Sequence, residues 1–302
     1  MQAPKTRPFS GALLGIAAFL FVPACGKSGD AGSDGSSSTK TIANIGSDTM
    51  VNLAQSWAEA YSSVAPEVSV EVSGGGSGIG IAALLNGTCD IANSSRKLEA
   101  EEVEKAKTEY GADPEEVMVG YDALAIYVHP SNPLTEISID ELSEIYREGG
   151  KSDKWSDLGV QIPGAQDEIV RVSRQNNSGT YHYFREAVVG KKADFKAGSR
   201  DLNGSKDVVA LVETTPSAIG YSGIGYRTSK VKVLKISRKK GESGIEPTIE
   251  TTLDKTYPIA RPMFFYTPPG AEDHVEQYIA WVLGPGGQAL VKEKGYIPLE
   301  AR

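Results

Sequence analysis

From residue 41 onward the chain alternates short stretches of period-two hydrophobicity with longer stretches of helical period. Residues 41–45 read as a strand. Met50, Leu53, Trp57, Tyr61 and Val64 then recur at the spacing of one helix face. Val68, Val70 and Val72 alternate as a second strand, and a glycine-rich turn leads into an apolar helix over 79–85. Residues 90–93 predict a third strand, 99–110 a charged surface helix, and 116–129 a long extended segment rich in β-branched and aromatic residues.

His129-Pro130 and Asn132-Pro133 break this pattern and mark passage into a second lobe. A helix over 138–146 and a strand over 169–174 follow. A helix with Tyr181, Phe184 and Val188 on its apolar face comes next, then another around 208–212. Strands at 218–221 and 231–236 precede a polar excursion over 237–255, a return strand at 258–267, a closing helix over 271–283 and a segment at 288–294 that packs back on the first lobe. Strands alternating with helices predict an α/β fold with mostly parallel sheets. No internal repeat interrupts this order.

The N-terminus has a different character. Lys5 and Arg7 precede an apolar run over 11–22 and small residues up to Cys25, the layout of a secretory signal peptide over 1–24. The run is shorter than the roughly 20 residues that span a bilayer. Val22-Pro23-Ala24-Cys25 resembles the lipobox of lipoproteins, with Val where Leu is usual and Pro at a position usually small, and predicts lipidation of Cys25. Residues 25–40 are Gly, Ser and Asp with little that is apolar, so they read as a flexible tether from a lipid anchor. An extracytoplasmic, membrane-anchored protein is expected. With Cys25 acylated, Cys89 is the one thiol left, and a small buried hydrophobe is expected there.

The formal charge of -8 over 302 residues becomes about -10 once Lys5 and Arg7 leave with the leader. Such a chain is disfavoured as a nucleic-acid binder. An anion can still be held through local donors and dipoles. Three segments share a design suited to that. Gly46-Ser47-Asp48-Thr49, Gly74-Gly75-Gly76-Ser77-Gly78 and Asn177-Ser178-Gly179-Thr180 each place hydroxyls and glycines between a predicted strand and a predicted helix. The first N–H groups of a helix lack internal partners and sit at the positive end of its dipole, so such a turn can cradle an oxyanion. Ser, Thr and Asp also cap helices, and any one of these turns taken singly is explained as well by that role. Arg174, four residues before Ser178, adds a forked, permanently charged donor.

The motifs GSDTM at 46–50, GGGSGIGIAAL at 74–84, DIANSSR at 90–96, RQNNSGT at 174–180 and SAIGYSG at 217–223 resemble the PstS-type phosphate-binding proteins of ABC importers, and the resemblance runs from 41 to the end. It implies a two-lobed, type II periplasmic-binding-protein fold with phosphate in the cleft, the first lobe from 41–125 and 260–302, the second from 126–259. It implies inorganic phosphate and a membrane permease as partners, no cofactor or metal, and no enzymatic activity. The family's binding positions fall on Thr49, the N–H of Met50, Ser77, Arg174, Ser178, Gly179 and Thr180, and Ser47 of the first turn is a further candidate. Where a carboxylate usually follows the third strand this chain has Ser95 and then Arg96, which leaves the acceptor of the phosphate proton open. Asp48 is the nearest substitute and Asp122 the next to try, with Arg96 either a second guanidinium donor or a salt-bridge partner.

Two other readings stand beside this one: a receptor for sulfate or molybdate, and a serine-dependent phosphate-ester hydrolase. The chain lacks G-x-S-x-G, and its three histidines, His129, His182 and His274, lie at no sequence position that marks them as a base for Ser47, Ser77 or Ser178.

Overall fold

A computed structural model describes residues 39–299; the expected leader, Cys25 and nearly all of the tether lie outside the described residues. The chain opens with β1 (Lys40–Gly46), α1 (Val51–Ser62), β2 (Val68–Ser73), α2 (Ser77–Leu85), β3 (Ile91–Ser94), α3 (Ala100–Tyr110) and the long β4 (Glu115–Val128). It continues with β5 (Glu136–Ser138), α4 (Ile139–Tyr146), β6 (Val170–Arg174), α5 (Gly179–Phe184), β7 (Arg200–Leu202), α6 (Ser205–Thr214), β8 (Ala218–Gly223), β9 (Lys232–Val233), β10 (Lys235–Ser237) and α7 (Ile249–Leu253). It closes with β11 (Ala260–Thr267), α8 (Asp273–Leu283) and α9 (Pro285–Glu293).

Eight strands run in the order β2-β1-β3-β11-β4-β8-β6-β7, with β9 joined to β4. The flanks are parallel, β2-β1-β3 on one side and β8-β6-β7 on the other, as the alternating pattern predicts. The centre is not. β11 returns antiparallel between β3 and β4, and β4 pairs antiparallel with β8, which corrects the expectation of mostly parallel sheets. Two smaller corrections follow. The polar excursion contains α7, started by the Thr248 side chain accepting from the Thr251 amide. The single strand expected at 231–236 is divided into β9 and β10, which pair with different partners.

β4 explains how one sheet serves two cores. Its first half pairs with β11 and its second half with β8. On the first side Ile42, Leu53, Trp57, Phe265 and Tyr278 pack together, with Trp57 edge-on to Phe265 at 5.5 Å. On the second, Ile126, Tyr146, Trp155, Phe184 and Tyr221 do so, with Phe184 stacked on Tyr221 at 3.8 Å. Each such buried side chain contributes about 1.5–3 kcal/mol of transfer free energy. The carboxyl ends of β1, β2, β3 and β6 carry the hydroxyl-bearing turns, the edge where α/β sheets place their ligands. No helix among the described residues is long and apolar enough to cross a membrane.

Candidate functional site

The three predicted turns meet. Asn177 of the third turn accepts from the Gly78 amide at 3.0 Å through its carbonyl, and its side-chain amide donates to the Gly75 carbonyl at 2.9 Å. This approach depends on glycine: Gly76 has φ +100°, and a Cβ there would lie 2.6 Å from the Asn177 carbonyl oxygen.

Where they meet, hydroxyls gather out of solvent. Ser47 Oγ donates to Ser95 Oγ at 2.9 Å, Ser77 Oγ lies 3.3 Å from Ser95 Oγ, and the Ser95 amide donates to Ser77 Oγ at 3.1 Å. Thr49 Oγ1 and Thr180 Oγ1 share a hydrogen bond of 2.7 Å across the two lobes. All five side chains are buried. Gly179 fits against this group with nothing to spare, since a Cβ on it would sit 2.3 Å from Ser77 Oγ. Ser178 lies beside it and caps α5, its Oγ accepting from the Thr180 and Tyr181 amides at 3.2 and 3.4 Å.

The charged donor at this cluster is Arg261, on β11. Its Nη2 donates to Thr180 Oγ1 at 2.8 Å and Thr49 Oγ1 at 3.3 Å, and its Nη1 to the Ser95 carbonyl at 3.1 Å. Nε and Nη2 both donate to Asp122 Oδ2, at 3.1 and 2.8 Å. Arg261 and Asp122 are register partners on adjacent antiparallel strands, so the sheet itself brings them together. Both are buried. Burial pushes the Asp122 carboxyl up from its ordinary value, while Arg261 and the Ile224 amide, which donates to Oδ1 at 3.1 Å, pull it back.

Arg174 is buried as well, yet its guanidinium bonds groups other than these hydroxyls. Nη1 donates to Ser205 Oγ at 2.8 Å, Nε and Nη2 to the Asn203 carbonyl, and Nη2 to Asp48 Oδ2 at 3.0 Å. Burial pushes its guanidinium down from the ordinary value and Asp48 opposes that. Asp48 accepts the Gly75 amide on its other oxygen at 3.0 Å, so it ties the first turn to the second and to the far lobe. It does not cap α1, whose start has no side-chain cap.

Two candidate donors of the sequence reading are engaged elsewhere, and for Arg96 it is the salt-bridge alternative that the structure shows. Arg96 forms a two-pronged pair with Glu102, both bonds 2.7 Å, and also donates to the Lys97 carbonyl; α3 claims its guanidinium through the acidic first turn. The Met50 amide donates to the Ser47 carbonyl at 2.9 Å, within the turn itself, because the chain tightens just before α1. Arg261 escaped the sequence reading. The signal was present: Asp122 is the one charge in residues 117–128 and Arg261 the one charge in residues 260–267, and such charges in a core are nearly always paired.

Comparison with known proteins agrees with this architecture. A family model described as a PBP superfamily domain matches residues 31–285. The phosphate-binding protein PstS of Pseudomonas aeruginosa is 35% identical over 271 residues, 86% of this chain and 84% of that one. The chain belongs to the PstS-type proteins of the PBP superfamily. Protein SphX of Synechococcus elongatus is 32% identical, over 85% of this chain and 77% of its own length. Among solved structures, a putative phosphate ABC transporter substrate-binding protein with bound phosphate, from Clostridium perfringens, superposes with a TM-score of 0.77 at 28% identity, covering 86% of this chain and all of that one. An ABC-type phosphate transport receptor from Vibrio cholerae does so at 0.67 and 27%, covering 85% and 100%. The fold is the two-lobed, type II form.

Proposed function

We propose that this protein captures inorganic phosphate between its lobes outside the cytoplasm and delivers it to the permease of an ABC importer. The observation that carries this reading is the buried group of Ser47, Thr49, Ser77, Ser95 and Thr180 around Arg261. The formal charges close by cancel in pairs, Arg261 with Asp122 and Arg174 with Asp48, so selection for an anion comes from aimed donors rather than from net charge. Asp122, the buried carboxylate in contact with this group through Arg261, takes the proton-acceptor role that sequence order suggested for Asp48.

Lobe 1 comprises residues 41–125 and 260–302, lobe 2 residues 126–259, and a lipid on Cys25 with a tether over 25–40 holds both at the membrane. Donors from both lobes make the closed form the tighter binder, so phosphate shifts the population toward it and the permease reads closure. The protein is read as a carrier without chemistry of its own. His129 pairs with Ser131, His182 with the Asn176 carbonyl and His274 with the Thr41 carbonyl, rather than with a cluster hydroxyl, which favours a receptor over a hydrolase.

Melting of the phosphate-stripped protein tests this. A ligand bound only by the folded state adds RT ln(1 + [L]/Kd), about 2.7 kcal/mol at a hundredfold excess over Kd. Millimolar phosphate is expected to raise the melting temperature, and an unchanged melt would count against the proposal.

A further inference from the structure

Two tyrosine hydroxyls reach the first turn from behind. Tyr226, at the end of the short turn Ile224–Tyr226 that follows β8, donates to the carbonyl of Asp48. Tyr296, between α9 and the bridge that pairs Ile297 with Tyr121, donates to the carbonyl of Thr49 and lies 3.0 Å from Asn52 Oδ1. These are consecutive carbonyls of the turn that carries Ser47 and Thr49. Tyr296 reaches its place because position 225 is glycine: a Cβ there would lie 2.4 Å from the ring.

From this geometry we infer that Tyr226 and Tyr296 are positioning residues for anion capture, and that Tyr226 makes the shape of the first turn depend on the second lobe. The inference rests on the receptor reading above. In a trans peptide the C=O of one residue and the N–H of the next point to opposite edges of one plane. A donor on the Asp48 carbonyl therefore aims the Thr49 amide away from Tyr226. That amide has no partner among the described residues, whereas its neighbours at 47 and 50 are engaged by Asn93 and Ser47. With the Asp48 amide it is one of two first-turn amides left free to donate to an oxyanion, and it is the one whose peptide plane Tyr226 holds.

Tyr226 is itself steered from the site. The Ile224 amide at the start of its turn donates to Asp122 Oδ1, and Asp122 is held by Arg261. One connected path thus runs from Thr49 and Thr180 through Arg261 and Asp122 to Ile224, Tyr226 and back to the Asp48 carbonyl. Closure of the second lobe on phosphate and alignment of the first-turn amide become one event. Burial carries the Tyr226 hydroxyl up to about 12, which keeps it a donor at all physiological pH values.

The test compares Tyr226→Phe and Tyr296→Phe with Tyr110→Phe, whose hydroxyl bonds the Leu84 carbonyl on α2 and serves as a control for loss of one tyrosine hydrogen bond. Phosphate affinity and dissociation rate, the melt of the phosphate-free protein and exchange of the Thr49 amide are measured in each. Tyr226→Phe is expected to weaken phosphate by about tenfold, mainly through faster dissociation, and to speed exchange at Thr49, with a phosphate-free melt matching that of Tyr110→Phe. Affinity within about twofold of wild type, or a loss matched by Tyr110→Phe, overturns the inference while leaving the receptor reading intact. Wild-type protein that binds no phosphate overturns both.

Discussion

Arg261 contacts a carboxylate, two hydroxyls and a carbonyl while almost fully buried, and its partner Asp122 is as deep. Removing one member of such a pair leaves an uncompensated charge and costs about 3–5 kcal/mol. Selectivity is therefore a cleaner readout than stability. Phosphate at neutral pH carries a proton and sulfate does not, so a buried acceptor rewards the first and repels the second. Asp122→Asn is expected to lower the preference for phosphate over sulfate sharply in a competition titration, whatever it does to both affinities together. Asp48→Asn should keep that preference, because its carboxylate bonds the Gly75 amide and Arg174, whereas Asp122 shares Arg261 with Thr49 and Thr180 of the hydroxyl group. Preference retained in Asp122→Asn would contradict the assignment. At this scale the hydroxyls were legible in the sequence and the guanidinium was not. Ser47, Ser77 and Thr180 announce themselves by their turns, whereas Arg261 and Asp122 are 139 residues apart and meet only through strand pairing.

The elements follow from local signals more fully. Each strand–turn–helix unit carries its periodicity and turn chemistry in one continuous stretch: α1 and α2 form where the apolar spacing places them, and α3 over the charged stretch behind its capping box. Strand order is another matter. That β11 would slot antiparallel between β3 and β4 depends on which edge remains open after the first lobe is built, and no stretch of ten residues encodes it. The start of α5 offers a test at this level. Alanine is a better helix former than glycine by about 1 kcal/mol, so Gly179→Ala ought to favour α5 on propensity alone. Its Cβ would instead strike Ser77 Oγ at 2.3 Å and Ser95 Oγ at 2.7 Å. We expect phosphate affinity to fall by at least about a hundredfold while the circular dichroism of the protein is kept; unchanged affinity would show that the lobes need not approach this closely.

For the whole molecule, the two halves share one sheet through β4 and β11, and the Tyr121–Ile297 bridge ties the end of the described chain to β4 beside them. These connections pass close to the Arg261–Asp122 pair, so the strands that join the lobes also place the site's charged donor. The strongly acidic chain holds its anion site in a small neutral enclosure of hydroxyls, glycines and paired charges, with long-range charge opposing capture and short-range donors favouring it. The most direct measurement is calorimetric titration of the stripped protein with phosphate, repeated with millimolar sulfate present. The account predicts saturable binding of one phosphate per chain, little displaced by sulfate; no binding heat with phosphate, or equal competition by sulfate, would contradict it.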